Sequence, residues 1–98
     1  MTEPVVLINA FEVPADQAGQ FIAAWEATRD FLQSQPGYIE TALHQALTPN
    51  ADFLFVNIAR WQTAEAFSAA LGSAGFRESA AGLASYGNHP ALYRIVRT

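Results

Sequence analysis

The run Phe53-Leu54-Phe55-Val56-Asn57-Ile58-Ala59-Arg60-Trp61 is apolar on both of its alternating faces and carries a single amide in its middle. Strand periodicity puts Phe53, Phe55, Asn57, Ala59 and Trp61 on one side and Leu54, Val56, Ile58 and Arg60 on the other. Both sides call for cover. A two-layer domain buries one face of an antiparallel sheet under its helices, so a second apolar face predicts a partner subunit. An amide buried without a partner costs roughly 1–3 kcal/mol, so Asn57 is either satisfied inside the protein or presented to a ligand.

Upstream, Val5 to Val13 is a short apolar run followed by a looser alternation, interrupted by Asn9 and Glu12, and predicts a first strand ended by Pro14. Asp16 is placed to cap a helix whose stripe, Phe21, Trp25, Thr28 and Leu32, follows helical spacing and is widened by Ile22 and Phe31. Gln35-Pro36-Gly37 stops that helix. A second strand over about Tyr38 to Leu47 returns through Thr48-Pro49-Asn50-Ala51-Asp52 into the third, forming a hairpin. Thr63 caps a second helix to about Leu71, closed by Gly72, with Glu65 in the first turn where the helix dipole favours negative charge. Gly75, Gly82 and Gly87 punctuate the segment beyond Gly72, predicting a short helix near Phe76 to Ala81, a loop, and after His89-Pro90 a last strand over about Ala91 to Arg97.

This order is the βαββαβ signature of a ferredoxin-like α+β sandwich with an antiparallel sheet. Right-handed crossovers place the first and third strands at the centre and the second and fourth at the edges. Asn9 and Asn57 then lie on neighbouring strands, while His44 and His89 fall on opposite edges.

Composition narrows the chemistry. The 98 residues suffice for one core, so any pocket is carved from it. A 51% apolar and 14% charged chain is rich for its size, which again fits self-association. Five arginines, no lysine and nine acidic residues leave a formal charge of −4 with no basic stripe, which argues against nucleic acid and anionic membranes as partners. The absence of cysteine excludes disulfides, thiolate nucleophiles and Cys-ligated metal centres. Met1-Thr2-Glu3-Pro4 lacks a basic leader and no apolar run is long enough to span a bilayer, so a cytoplasmic location is expected.

The stretch from Val5 to about Phe76 resembles the antibiotic biosynthesis monooxygenase domain family of small dimeric α+β barrels. The resemblance lies in Leu7-Ile8-Asn9-Ala10-Phe11-Glu12-Val13-Pro14, in Phe21-Ile22-Ala23-Ala24-Trp25, in Gln35-Pro36-Gly37-Tyr38, and above all in Phe55-Val56-Asn57-Ile58-Ala59-Arg60-Trp61 followed by Ala64-Glu65-Ala66-Phe67. It implies a single such domain over residues 1–98, a homodimer whose sheets pack into a β-barrel, and an activity drawn from cofactor-independent oxidation of aromatic polyketide phenols or anthrones, haem degradation, or degradation of signals. In the quinone-forming branch, an asparagine and a tryptophan four residues later on the third strand bind and activate substrate, and Asn57 and Trp61 match them. That branch also uses an aromatic hydroxyl on the second helix and a later arginine; here the helix offers Phe67, without a hydroxyl, and Arg77 corresponds loosely in position. In the haem-degrading branch, Asn9 and Trp61 match two site residues, but the helix from Thr63 to Leu71 carries no histidine to serve as the iron ligand.

The residues themselves allow a site for a small planar aromatic ligand. Asn9, Asn57 and Trp61 are the candidate catalytic residues, with amide and indole N–H groups to address ligand oxygens. Phe11, Phe55, Phe67, Trp25 and Arg77 are candidate substrate contacts. No Rossmann glycine pattern, phosphate loop or histidine pair at metal spacing is present, so no cofactor and no metal are expected. An oxygenase of this kind takes its electrons from the substrate, whose ionised form reacts with dioxygen. Structural roles compete with these. Asn57 could pair with Asn9 or a backbone group and set strand register, the aromatic stripes are packing positions in any case, and Arg60 is expected to meet a carboxylate across a dimer interface. A dimer that binds a ligand without catalysis is the third alternative.

Overall fold

The computed structural model describes residues 3–98, so Met1 and Thr2, half of the stretch read above for a leader, lie outside the described residues. In chain order the elements are β1 (Val5–Glu12), α1 (Ala18–Leu32), β2 (Tyr38–Gln45), β3 (Phe55–Trp61), α2 (Ala64–Leu71), α3 (Ala74–Ser79) and β4 (Gly87–Tyr93). The strands form one antiparallel sheet in the order β2-β3-β1-β4, the ferredoxin-like arrangement with β1 and β3 at the centre. The smallest extent of the chain, 17 Å, leaves room for the sheet and one layer of helices and no third layer.

Local chemistry accounts for most boundaries. Thr63 caps α2, its hydroxyl accepting from the Ala66 N–H at 3.0 Å, and Ser73 does the same for α3 with Phe76 at 3.2 Å. Gly37 holds φ at +88°, and a Cβ there would come within 2.5 Å of the Ala66 Cβ, so glycine is needed for the turn and for the close approach to α2. Three expectations are corrected. Asp16 does not cap α1; it sits in a 3-10 turn over Ala15–Gln17 whose Gln17 N–H bonds back to the Pro14 carbonyl at 2.9 Å, and Gln17 occupies the N-cap position without a side-chain bond. The short helix starts at Ala74, because Ser73 supplies the cap. The last strand begins at Gly87 and ends at Tyr93 instead of running from Ala91 to Arg97. An edge strand needs a ladder on one side only, so Gly87 and Pro90 are tolerated in it, and it stops once β1 runs out beyond Val5.

The core falls into two clusters on the helix-covered face of the sheet. One contains Leu7, Ala59, Trp61, Phe67 and Ala70; the other contains Phe11, Phe21, Trp25, Phe55 and Tyr86. On the two central strands the clusters are separated by one cross-strand pair, Asn9 opposite Asn57. The amides thus divide the core.

Candidate active site

Between the two clusters lies a cavity of about 260 Å³, and the asparagine pair forms part of its floor. Directly opposed residues of an antiparallel pair hold their Cβ atoms about 4.5–5.5 Å apart, so the two amides can address one group. Each has its oxygen engaged. The Thr41 hydroxyl donates to Asn57 Oδ1 at 2.7 Å, and the His89 backbone N–H donates to Asn9 Oδ1 at 3.0 Å. A backbone N–H can only donate, which sets the orientation of the Asn9 amide. Neither Nδ2 has a hydrogen-bond partner among the described residues, yet no buried side-chain nitrogen or oxygen there is left unpaired, so both NH₂ groups reach open space. The same argument applies to the Trp61 indole N–H, on a residue only 1% exposed.

Around these donors the walls are aromatic and aliphatic. Trp61 meets Phe67 edge-to-face at 5.7 Å and Tyr38 at 5.6 Å, and Phe11, Trp25, Leu7 and Leu83 complete the lining. Thr28, buried in the α1 stripe, donates to the Ser79 carbonyl at 2.9 Å and so ties α1 to α3 over the cavity. Burial pushes the Tyr38 phenol above its ordinary range, with the Glu40 charge adding to the effect and Arg29 and a Thr41 backbone hydrogen bond opposing it. At neutral pH the phenol is therefore a donor, not a base. Among the described residues no carboxylate and no histidine lines the cavity. The Asn9 and Asn57 NH₂ groups and the Trp61 indole N–H are donors, and they suit a flat ligand that presents acceptor or ionised oxygens.

Six of the eight residues singled out in the sequence are brought together here: Asn9, Asn57, Trp61, Phe11, Trp25 and Phe67. Phe55 and Arg77 are not. Phe55 is fully buried behind the wall, its ring 4.8 Å from that of Phe21 in a stacked pair, and Arg77 is exposed on α3 outside the lining. Both histidines project from the opposite face of the sheet, where His44 pairs with Val56 and His89 bonds Glu12 at 2.8 Å. Tyr38, Thr41 and Arg29 are site residues that periodicity and motif did not single out. A register shift between Tyr38 and Glu40 turns both Tyr38 and Thr41 toward the helices although three positions separate them, which strict alternation forbids. Arg29 does have a signal: it stands four residues after Trp25, on the same helix face.

The fold and site define a class: a ferredoxin-like domain with an aromatic-lined cavity between sheet and helices, floored by two amides. The chain belongs to the antibiotic biosynthesis monooxygenase family, whose model matches residues 4–82. A proposed monooxygenase from Shewanella loihica PV-4 is 43% identical, with 100% of this chain and 99% of that one covered and a TM-score of 0.87. SnoaB, a cofactor-independent oxygenase from Streptomyces nogalater, is 28% identical over 99% of this chain and 97% of its own, with a TM-score of 0.86. Rv0793 from Mycobacterium tuberculosis shares the fold at 15% identity, 98% coverage of each chain and a TM-score of 0.77. Comparison with curated proteins returns no match.

The haem-degrading alternative meets a poor fit. No side chain in the lining can serve as an iron ligand of the imidazole kind, and about 260 Å³ lies below the roughly 300–1,000 Å³ of pockets for drug-sized ligands. Among the described residues no helix is long and apolar enough to cross a membrane.

Proposed function

We propose that this protein is a cofactor-independent monooxygenase that oxidises a small phenol, anthrone or polyketide-like aromatic with dioxygen. The observation that carries this is the pair of amides whose oxygens are engaged by Thr41 and His89, leaving N–H donors directed into a cavity walled by Trp61, Phe67 and Phe11. Donors fixed before the ligand arrives stabilise an oxyanion more than the neutral phenol or ketone, and so favour ionisation of the bound substrate. Trp61 supports the ring by contact and adds an indole N–H. With no carboxylate and no histidine lining the cavity among the described residues, the proton passes to water at the mouth of the cavity. The ionised substrate then supplies electrons to dioxygen. For an anthrone the ring CH₂ becomes C=O and the second oxygen atom leaves as water, so atoms and electrons balance without an added reductant.

The test is oxygen uptake with a panel of anthrones and naphthols in chelator-treated buffer. Stoichiometric oxygen consumption with quinone formation is expected, unchanged by EDTA. Binding without uptake across the panel would instead identify a non-catalytic ligand-binding dimer.

We also propose a homodimer formed through the helix-free face of the sheet, closing two sheets into a barrel. That face carries the rows Ala42-Ile58-Ile8-Ala91 and His44-Val56-Ala10-His89 across all four strands. Its centre is apolar and its rim is charged, with Arg60 bonding Glu40 at 2.7 Å and His89 bonding Glu12. The Arg60 partner, expected from a second subunit, is on the neighbouring strand of the same chain. Sedimentation at micromolar concentration is expected to give twice the 10.6 kDa chain mass. A monomer would remove the reason for an apolar outer face.

A further inference from the structure

The cavity has a second polar end. Asn57 and Trp61 are separated by four residues of strand, roughly 13 Å along the sheet, and Tyr38 pairs with Trp61 at the far end of that span. Arg29, in the last turn of α1, lines the same cavity and is the single cationic side chain to do so among the described residues. Its guanidinium carbon lies 5.4 Å from the centre of the Trp25 ring, a contact that helps to hold the charge at the wall. Nε and Nη2 both donate to Asp30 Oδ1, at 3.1 and 2.9 Å, whereas Nη1 makes no hydrogen bond among the described residues. The guanidinium therefore already holds a carboxylate. That carboxylate belongs to a side chain 62% exposed, an open pair that a ligand can displace or extend.

We propose that Arg29 and Tyr38 form a second recognition end that takes a carboxylate on the aromatic ligand, opposite the ring oxygen held by Asn9 and Asn57. The natural substrate class is then an elongated hydroxyaromatic acid. The planar fork of arginine matches a carboxylate, and the Tyr38 phenol, kept protonated, adds a donor beside it. The amides at one end and the cation at the other give a flat apolar slot a direction, so a ligand with both groups enters in one orientation. This inference rests on the aromatic-site reading of the cavity but not on oxygen chemistry.

Calorimetric titration with 6-hydroxy-2-naphthoate and 2-naphthol tests it, because the two share the ring hydroxyl and differ in the distant carboxylate. The wild-type protein is expected to bind the acid at least about tenfold more tightly than the naphthol, the size expected of one charge-assisted contact. Arg29→Gln is expected to bring the ratio within about twofold of unity, the acid losing affinity by a much larger factor than 2-naphthol; Arg29→Lys keeps part of the preference. Asp30→Asn, which releases the competing carboxylate, is expected to tighten the acid and leave the naphthol alone. Equal affinities in the wild-type protein, no binding of either compound, or a parallel loss of both in a folded Arg29→Gln protein would each overturn the proposal. Should Arg29→Gln not fold, the wild-type ratio and Asp30→Asn decide. A tenfold preference without oxygen uptake would sink the oxygenase reading and leave this one standing, and oxygen uptake without the preference would do the reverse.

Discussion

Asn57→Ala is expected to lower turnover of an accepted anthrone by about 10²–10³-fold, the usual loss when one preorganised oxyanion donor is removed. The stability change should be small by comparison. Asn57 is only partly buried, and its hydrogen-bonding partner, the Thr41 hydroxyl, has the Ile58 carbonyl within 3.4 Å as an alternative acceptor. Activity and folding are therefore separable at this position. The decisive comparison is oxygen uptake by the wild-type and Asn57→Ala proteins at saturating substrate, with thermal midpoints measured alongside. A fall in kcat at an unchanged midpoint fits a donor to the ionised substrate. Unaltered turnover would remove the amide from the chemistry and reduce it to a residue that sets register between β1 and β3.

Phe21→Ala is expected to destabilise the protein by about 3–5 kcal/mol, against a total of roughly 5–15 kcal/mol for a domain of this size. Phe21 is fully buried. Its ring lies 4.8 Å from both Phe11 and Phe55 and 5.2 Å from Tyr86, so it is the hub of one of the two clusters. Removing it leaves Trp25 as the other buried α1 residue of that cluster, and three large neighbours cannot collapse into the space without moving strands. A melting curve at fixed protein concentration should show the midpoint lowered by more than about 10 °C. A shift of only a few degrees would mean that the cluster repacks and that α1 is held mainly by its bonds to α3. Fixed concentration matters, because the proposed dimer would make the apparent midpoint depend on it.

How legible an element is in the sequence depends on the kind of signal that makes it. Thr63, Gly72 and the Phe21-Trp25-Thr28 stripe act within a few residues of themselves, and α2 and the buried face of α1 appear where those signals put them. Alternation along Leu7-Asn9-Phe11 and Phe55-Asn57-Ala59-Trp61 also survives, because both strands are central and have no room for a slip that would turn apolar residues outward. The edges are less legible. Gly87 and Asn88 read as a loop until a neighbouring strand pairs with them, and the bulge after Tyr38 is invisible to a rule that assumes period two. That bulge hides Tyr38 and Thr41, and with Thr41 the reason that the Asn57 amide presents its nitrogen to the cavity.

Sequence alone determined the element order, the strand parity of Asn9, Asn57 and Trp61, and the existence of a second apolar sheet face, since each follows from local periodicity and burial. Only the tertiary structure decided what those residues share. It set Asn9 opposite Asn57, opened a cavity where that pair divides the core, engaged both amide oxygens through Thr41 and the His89 backbone, and moved Phe55 and Arg77 outside. The reason is physical: register, bulges and cavities come from contacts between residues distant in the chain, and no window along the sequence contains both partners.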